Sequence, residues 1–405
     1  MVRLSIGLFS FAMLLQAQEK LTLSLSEAVN QALTQNKHRI AIRQRIESSK
    51  GVELQAGLKP NLRASFLVEN LRAWESPAFR LQTSPDTWGF LNQIVESGGK
   101  RERRLDLAHE QTERTSLEAE LFERQLKLKV RHAYWAAAGS HRLVALAQSQ
   151  YEAFGQLVEN NRLKVKEGVV AEADLLRTEL EHKRLEFTWR SALMEANRLT
   201  TVLWREIGVS EFKEIEFTEA LEPLPPPPQE PSDHKGRPEL KLLQQSVQIA
   251  DANIRLQQAN AKPDPLFQYG YKRTSGLDTI LAGFQIDIPN RNKNQGNIAA
   301  ASGERRSSEM QVQAMTTQIE ADVKGAWQEY RQRRRLLEEG LPPMRSGSAE
   351  ALRLARGAYA LGGVDLLRLL DAQRVNLDIE TTYIRTLTEL RQAQENLEYA
   401  LGVDQ

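Results

Sequence analysis

The stretch "ILAGFQIDIP", residues 280–289, alternates apolar side chains with small or polar ones. Its apolar members are Ala282, Phe284, Ile286 and Ile288, and the residues between them are Gly283, Gln285 and Asp287. Because successive side chains of a β-strand point to opposite faces, this pattern predicts a strand with one apolar face. The remainder of the chain reads mainly as long charged helix, so the sequence must also explain what such a strand faces.

Three other segments resemble it, at residues 62–69, 88–95 and 266–272, with the fourth strand at 280–288. Strands of this length cross a bilayer when they are tilted. An open edge in lipid would leave backbone N–H and C=O groups unpaired at several kcal/mol each, so four strands cannot stand alone there. Two chains would give a barrel filled by its own side chains, whereas three begin to leave a passage. We therefore predict a trimer that completes a 12-stranded β-barrel.

The helical part of the sequence is duplicated at a constant offset of 194 residues. "GVVAEADLLRTELEHKRLEF" in the first half aligns with "GGVDLLRLLDAQRVNLDIET" in the second, so that Gly168 matches Gly362 and Gly208 matches Gly402. Farther upstream, Lys59-Pro60 answers Lys262-Pro263 and Lys100 answers Lys293. The predicted organisation is a signal peptide (1–18), a first repeat (19–222), a proline-rich linker (223–236) and a second repeat (237–405).

Each repeat is predicted to contain a leading helix, two strands and a hairpin of two long helices. Ser24 or Ser26 can cap the first leading helix. A helix over about 99–167 would be on the order of 100 Å long, and a second over about 172–206 would return part of the way. Pro342-Pro343 should end or kink the corresponding helix of the second repeat. The expected fold class is mixed but mainly α: a long α-helical barrel joined to four transmembrane strands per chain.

The N-terminal residues have the pattern of a secretory signal peptide, with Arg3 followed by an apolar run of about twelve residues, too short to span a bilayer. The alternative is a buried N-terminal helix. The chain contains no cysteine, which excludes an N-terminal lipid anchored on Cys as well as disulfides. The 54 basic residues balance the 53 acidic ones, so nucleic acid is not an expected partner.

The sequence contains no constellation that indicates an enzyme, and we predict neither a cofactor nor a metal site. There is no GxGxxG motif, P-loop or nucleophile elbow. Glu179 and His182 have the spacing of a di-iron helix motif, but the positions related by the offset hold Gln373 and Asn376.

"FQIDIPNRNKNQGNIAAA" and "YALGGVDLLRLLDAQR", together with the duplicated unit, resemble the TolC family of outer-membrane efflux channels. The strand-to-helix junction is most similar to the CzcC-like cation-efflux branch. The resemblance implies a homotrimer that joins a barrel in outer-membrane lipid to a periplasmic helical tube. It also implies partners: a periplasmic adaptor protein and an inner-membrane pump, expected to be of the RND type, exporting metal cations or drugs.

The resemblance further implies roles for individual residues. Tyr359 and Asp174 match positions that hold the entrance of the tube shut. Asp371 matches an aspartate of the lumenal constriction, where Arg368 occupies the other position of the ring. From the residues alone, Arg368 and Asp371 are interpreted as a surface ion pair. The helix tips that dock the adaptor would comprise Gly168, Val169, Gly362, Gly363 and Val364, the last standing where an arginine of the closing network is expected.

A soluble periplasmic coiled-coil adaptor or scaffold is the alternative function, because it would also carry a signal peptide and long helices. The strands distinguish the two, since a soluble adaptor needs no apolar face toward lipid. The basic segment "GGKRERR", residues 98–104, fits a leaflet boundary and fits a solvated helix start equally well.

Overall fold

The computed structural model describes residues 21–71, 74, 85–210, 212–222, 224 and 236–403. The predicted signal peptide and nearly all of the proline-rich linker lie outside these residues. The helices are α1 (Leu25–Gln35), α2 (Lys37–Ala56), α3 (Lys100–Lys166), α4 (Glu172–Ile207), α5 (Pro238–Asn260), α6 (Gln295–Arg335), α7 (Leu341–Ala360) and α8 (Leu366–Leu401). The strands are β1 (Leu21–Leu23), β2 (Arg63–Glu69), β3 (Asp86–Ile94), β4 (Ile215–Phe217), β5 (Leu266–Thr274) and β6 (Leu277–Gln285). The mainly α fold with a small sheet is confirmed.

The four predicted strands form one antiparallel sheet in the order β2-β3-β5-β6. The fourth strand was placed too late, because β6 begins at Leu277 and its last ladder pair joins Gln285 to Leu266. Ser275 and Gly276 both have positive φ, 52° and 80°, as a two-residue hairpin turn requires, and this turn sets the register of β6. Residues 286–288 continue beyond the ladder, since β5 has no residue left to oppose them.

The leading helix of the first repeat is interrupted once. Ser24 caps α1 through a capping box with Glu27, which agrees with the sequence prediction. Asn36 then adopts an extended conformation, with ψ of 114°, and its side-chain amide donates to the carbonyl oxygen of Glu206 at 2.9 Å. Neither this break nor the short parallel pair that β1 makes with β4 was predicted from the residues.

We predicted that Pro342-Pro343 would either end or kink the helix, and the prolines do not end it. A π-helical turn, Leu336–Gly340, follows α6, and the backbone N–H of Leu341 donates to the carbonyl of Leu336. Both prolines lie in the first turn of α7, directly after the π turn. The π turn is therefore the local rearrangement that accommodates them.

Contacts divide the chain into two compact units. The first comprises Met1–Asn36, Leu126–Pro228 and Trp327–Leu397, and the second comprises Lys37–Gln125, Gln229–Ala326 and Glu398–Gln405. Each unit draws on both halves of the sequence, so the repeat boundaries stay a prediction.

In the first unit, a seam of buried side chains joins the long helices: Phe154, Val158, Leu185, Leu366 and Leu370. Gly139 allows α3 to approach α8 closely, because a Cβ there would lie 2.1 Å from the Thr388 hydroxyl oxygen. The second unit contains the four-stranded sheet and the helix segments adjoining it.

Candidate functional site

One face of the four-stranded sheet is apolar and exposed. The register places Phe66, Leu91, Tyr269, Ile280 and Phe284 on this side, which we call the apolar face. Ile280 is 91% exposed, Phe66 74% and Phe284 70%. Single exposed apolar residues are ordinary on a protein surface, but a contiguous apolar patch marks a surface that contacts lipid or another protein.

The opposite side, which we call the mixed face, carries hydrogen-bonding side chains. Gln268 donates to the side-chain oxygen of Asn92 at 3.0 Å, and Asn92 donates to the Ser65 hydroxyl at 3.2 Å. The Lys272 ammonium lies 4.0 Å from the ring centroid of Trp88, a cation–π contact. Polar side chains of this face thus contact one another across the strands. On the apolar face, Asp278 near the β5–β6 turn accepts a hydrogen bond from Tyr271 and pairs with Arg273.

Both edges of the sheet are open. Among the residues that the structure describes, β2 and β6 each have a hydrogen-bonded neighbour on one side only, and every residue of both strands is exposed. An open strand edge is a template for pairing with another strand.

The helix hairpins turn at the two glycines predicted from the repeat. Gly168 and Gly362 have φ of 73° and 75°, and no neighbouring atom lies within 4 Å of the point where a Cβ would stand, so the left-handed backbone and not crowding requires glycine. The Val169 N–H donates to the carbonyl of Lys164 at 2.9 Å, and the Gly363 N–H donates to the carbonyl of Ala358 at 2.8 Å. The two turns thus share one hydrogen-bond pattern, and Val169 is 70% exposed beside the first.

Tyr359 begins a chain of side-chain hydrogen bonds that joins three helices. Its hydroxyl donates to the side-chain oxygen of Asn161 at 2.9 Å, and the Asn161 amide donates to the Thr178 hydroxyl at 3.1 Å. Thr178 in turn donates to the backbone carbonyl of Asp174 at 2.7 Å. Asn161 and Thr178 are fully buried, so this chain of bonds links α3, α4 and α7 inside the seam.

Asp174 acts on Tyr359 through its charge. Burial and the nearby Asp174 carboxylate raise the pKa of Tyr359, while the hydrogen bond with Asn161 opposes the rise. The Asp174 carboxylate is 3.9 Å from the Arg177 guanidinium on the same helix. The structure therefore brings Tyr359 and Asp174 near each other and inserts Asn161 and Thr178 between them.

Asp371 and Arg368 are both exposed near the start of α8. Within the described ranges no ion pair joins them, so the surface-pair interpretation is not supported. The backbone N–H of Arg368 donates to the Asp365 carboxylate at 3.1 Å, which caps the helix. The charge of Asp371 instead raises the pKa of Arg374, after the larger effect of Glu181. Val364 is half-buried and forms no polar link at the position where an arginine was expected.

Glu181 and Arg374 are a second link between helix pairs that sequence reasoning missed. Arg374 on α8 donates to Glu181 on α4 at 2.8 Å, and Arg184 binds the same carboxylate. The Glu181 side chain is only 8% exposed. For the link through Asn161 and Thr178, the sequence did contain a signal in the positions of these residues. Both continue apolar helix seams, in which Val158 and Leu185 lie three and seven residues away.

In the part of the chain that the structure describes, no three His, Asp or Glu side chains are grouped so that they could hold a metal ion. Of the di-iron motif, Glu179 pairs with Arg162 at 2.9 Å and His182 stacks on Tyr151. Among the same residues, no helix combines the length and the hydropathy needed to cross a membrane.

Known proteins share this architecture along nearly the whole chain. No sequence-family profile matches. The chain is 22% identical over 386 residues to the cobalt-zinc-cadmium resistance protein CzcC of Cupriavidus metallidurans, and the matched region covers 94% of this chain and 90% of CzcC. The Campylobacter jejuni CmeC outer membrane channel superposes with a TM-score of 0.79 at 13% identity, covering 93% of this chain and 85% of CmeC. The open-state MtrE outer membrane channel of Neisseria gonorrhoeae gives 0.72 at 17%, covering 93% and 88%.

The fold is therefore that of outer-membrane channel proteins. Within that class the architecture is TolC-like, which confirms the resemblance first based on the sequence motifs.

Proposed function

We propose that this chain is the outer-membrane channel of a tripartite efflux system, a passive trimeric duct that performs no chemistry of its own. The observation that carries the proposal is the four-stranded sheet with an exposed apolar face and two open edges. Transfer of such a side chain from water to an apolar environment is favourable by roughly 1.5–3 kcal/mol. The apolar face is therefore more stable in contact with lipid than in contact with water. Lipid also forbids open edges, which favours closure with further copies.

Three copies are the proposed assembly, because twelve strands leave a passage whereas eight are filled by side chains. The mixed face then lines that passage with Ser65, Asn92 and Gln268, and the apolar face contacts outer-membrane lipid. Export by residues 1–18 without a Cys lipid anchor, and a periplasmic location for the helices, belong to the same proposal.

The helix tips are the proposed docking site for a periplasmic adaptor protein. The turns at Gly168–Val169 and Gly362–Val364 support this role, since both glycines adopt the left-handed backbone with open space at the Cβ position, and Val169 is 70% exposed. An inner-membrane pump, of the RND type, would supply the energy. CzcC is named for resistance to cobalt, zinc and cadmium, which favours metal cations over drugs as the cargo.

A gate near the tips is proposed from the bonds that join the helix pairs. Tyr359, Asn161 and Thr178 form one link and Glu181 with Arg374 another, and the Asp174 charge acts on the first. Separation of the helix pairs must break these bonds. In the trimer, three Asp371 carboxylates and three Arg368 guanidinium groups would surround one axis and set the charge of the constriction.

Membrane extraction and conductance test the function directly. We expect the mature protein in the detergent-soluble membrane fraction, as a trimer that conducts ions in planar bilayers. A soluble periplasmic adaptor, the alternative, would instead be recovered as a water-soluble species after a salt wash, and that result would overturn the channel. The similar proteins do not support this alternative. The solved structures of CmeC and MtrE are outer-membrane channels, and this chain covers most of the length of CmeC, MtrE and CzcC.

A further inference from the structure

The segment that follows β6 keeps its strand pattern without having a partner. Ile286, Asp287 and Ile288 continue the alternation of the strand beyond the last pair at Gln285. Ile288 is 80% exposed, and it is followed directly by a proline and a polar turn. On the other edge, Leu62 precedes β2 and is 56% exposed. Each edge strand thus has residues beyond its last ladder pair, as expected if it pairs with a strand of another chain over a longer stretch.

The chain contains its own template for such a pairing in the contact between β3 and β5. Ile94 opposes Leu266 there, and the pairing continues past the ladder, where the Val95 N–H donates to the carbonyl of Pro265 at 3.0 Å. The junction is closed by an ion pair between Lys100 and Asp264 at 2.7 Å. This contact joins the second strand of the first repeat to the first strand of the second repeat.

The repeat relates that template to the open edges. Lys262-Pro263 answers Lys59-Pro60, a shift that also superposes the first residue of β5, Leu266, on the first residue of β2, Arg63. Lys100 answers Lys293, a shift that carries Ile94 onto Asp287. The open edge of β2 therefore corresponds to the edge of β5 that contacts β3, and the open edge of β6 corresponds to the edge of β3 that contacts β5.

We propose that β6 of one copy pairs antiparallel with β2 of a second copy in the register of this template, so that Asp287 forms an ion pair with Arg63. The inference rests on the proposed trimeric channel and specifies its strand-to-strand interface. The same register places Phe284 opposite Phe66 and Ile288 opposite Leu62.

Three independent features agree with this register. In the described part of the chain, neither Asp287 nor Arg63 has an ion-pair partner. The paired phenylalanines both lie on the apolar face and are 70% and 74% exposed in the single chain. Gln285 meets Ser65 on the mixed face, where the template has the hydrogen bond from Gln268 to Asn92.

The alternatives to this register are unfavourable in different ways. A slip of one residue would turn the apolar side chains of one strand toward the mixed face. A slip of two residues keeps the faces but sets Asp287 opposite Ser65 or Asn61, which removes the ion pair. The charge pair thus selects one register among those that the apolar pattern permits.

Cysteine crosslinking tests the register, and the absence of native cysteine gives a clean background. Two directly opposed strand residues lie within disulfide range. Gln285→Cys combined with Ser65→Cys should form oxidised covalent trimers, whereas either single variant should not. The control combines Gln285→Cys with Leu67→Cys, which the proposed register leaves apart. Crosslinking of the control pair in place of the first would overturn the register.

Charge exchange tests the ion pair itself. Asp287→Arg and Arg63→Asp should each lower the temperature at which the detergent-solubilised trimer dissociates, and the double variant should recover most of that loss. Equal, additive losses in the double variant would contradict the pairing. Light scattering and bilayer conductance of the unmodified protein separate the two levels: a conducting trimer without the predicted crosslink refutes only the register, whereas a monomer refutes the channel as well.

Discussion

The hydroxyl of Tyr359 on α7 donates to the side-chain oxygen of Asn161 on α3, at 2.9 Å, in a seam where Asn161 is wholly shielded from solvent. A buried amide that satisfies both its neighbours fixes two helices in one relative position, because any displacement leaves polar groups without partners. Asn161 also donates to Thr178 on α4. One side chain therefore couples three of the four long helices of the first unit.

Loss of the Asn161 amide should loosen the tip. Asn161→Leu removes two hydrogen bonds and leaves Thr178 and Tyr359 without their partner, so we expect a loss of about 1–3 kcal/mol in stability and more frequent channel opening. Tyr359→Phe removes one bond and should cost about 0.5–1.5 kcal/mol. Thermal unfolding in detergent and open probability in planar bilayers measure both effects. Asn160→Leu, at an exposed neighbouring position, is the control and should change neither.

Acid should weaken the link between Glu181 and Arg374. Burial raises the pKa of Glu181, but hydrogen bonds from Arg184 and Arg374 lower it by more, so its pKa lies below the ordinary value. A carboxyl with a lowered folded-state pKa contributes stability that is present above its unfolded pKa, about 4.3, and is lost as pH falls through the folded pKa. Tip opening followed between pH 7 and pH 3 should therefore rise at the acid end.

Glu181→Gln should remove that part of the acid response and destabilise the seam by about 1–2 kcal/mol, less than a fully buried pair would lose, because Arg374 is half exposed. Glu195→Gln is the matched control, since Glu195 pairs with Arg198 on the same helix in an exposed position. Equal responses of the two variants to acid would refute a special role for Glu181.

The sequence predicted the parts of this fold that depend on local geometry. The four strands followed from period-two alternation and the helix turns from glycines at matching positions, and both need only the chain's own stereochemistry. Pro342-Pro343 predicted a disturbance of the helix, but not that it would take the form of a π turn. The break at Asn36 was missed because it depends on the carbonyl of Glu206, on a helix far away in sequence. The link from Tyr359 to Asn161 was missed for the same reason: its residues are 198 apart in the chain.

The charge of the proposed constriction can be changed one residue at a time. Asp371→Ala should reduce cation selectivity and block by divalent cations, because three carboxylates around one axis concentrate cations. Arg368→Ala should act in the opposite direction, since it removes positive charge from the same turn of α8. Reversal potentials and divalent block in planar bilayers are the measurements. If neither substitution alters them, the ring does not lie at the narrowest point of the lumen.

Alanine at the tip glycines should distort the turns. Gly168→Ala and Gly362→Ala place a side chain at positive φ, which costs about 1–2 kcal/mol, and both should weaken crosslinking to the adaptor. Gly303→Ala is the control, because it lies within α6 with open space around it and should stabilise the helix by about 0.5–1 kcal/mol. Unchanged adaptor crosslinking with both tip variants would count against docking at the tips.

Close packing across the mixed face makes Gly270 sensitive to the smallest substitution. A Cβ at Gly270 would lie 2.4 Å from the Phe90 ring and 2.7 Å from the carbonyl oxygen of Gly89, and the backbone atom cannot move aside. Gly270→Ala should therefore cost about 1–3 kcal/mol by overpacking and lower the dissociation temperature of the trimer. Gly283→Ala on the adjacent strand is the matched control, since no atom lies within 4 Å of its Cβ position. A trimer equally heat-resistant in both variants would mean that Phe90 turns away from Gly270 in the assembled barrel.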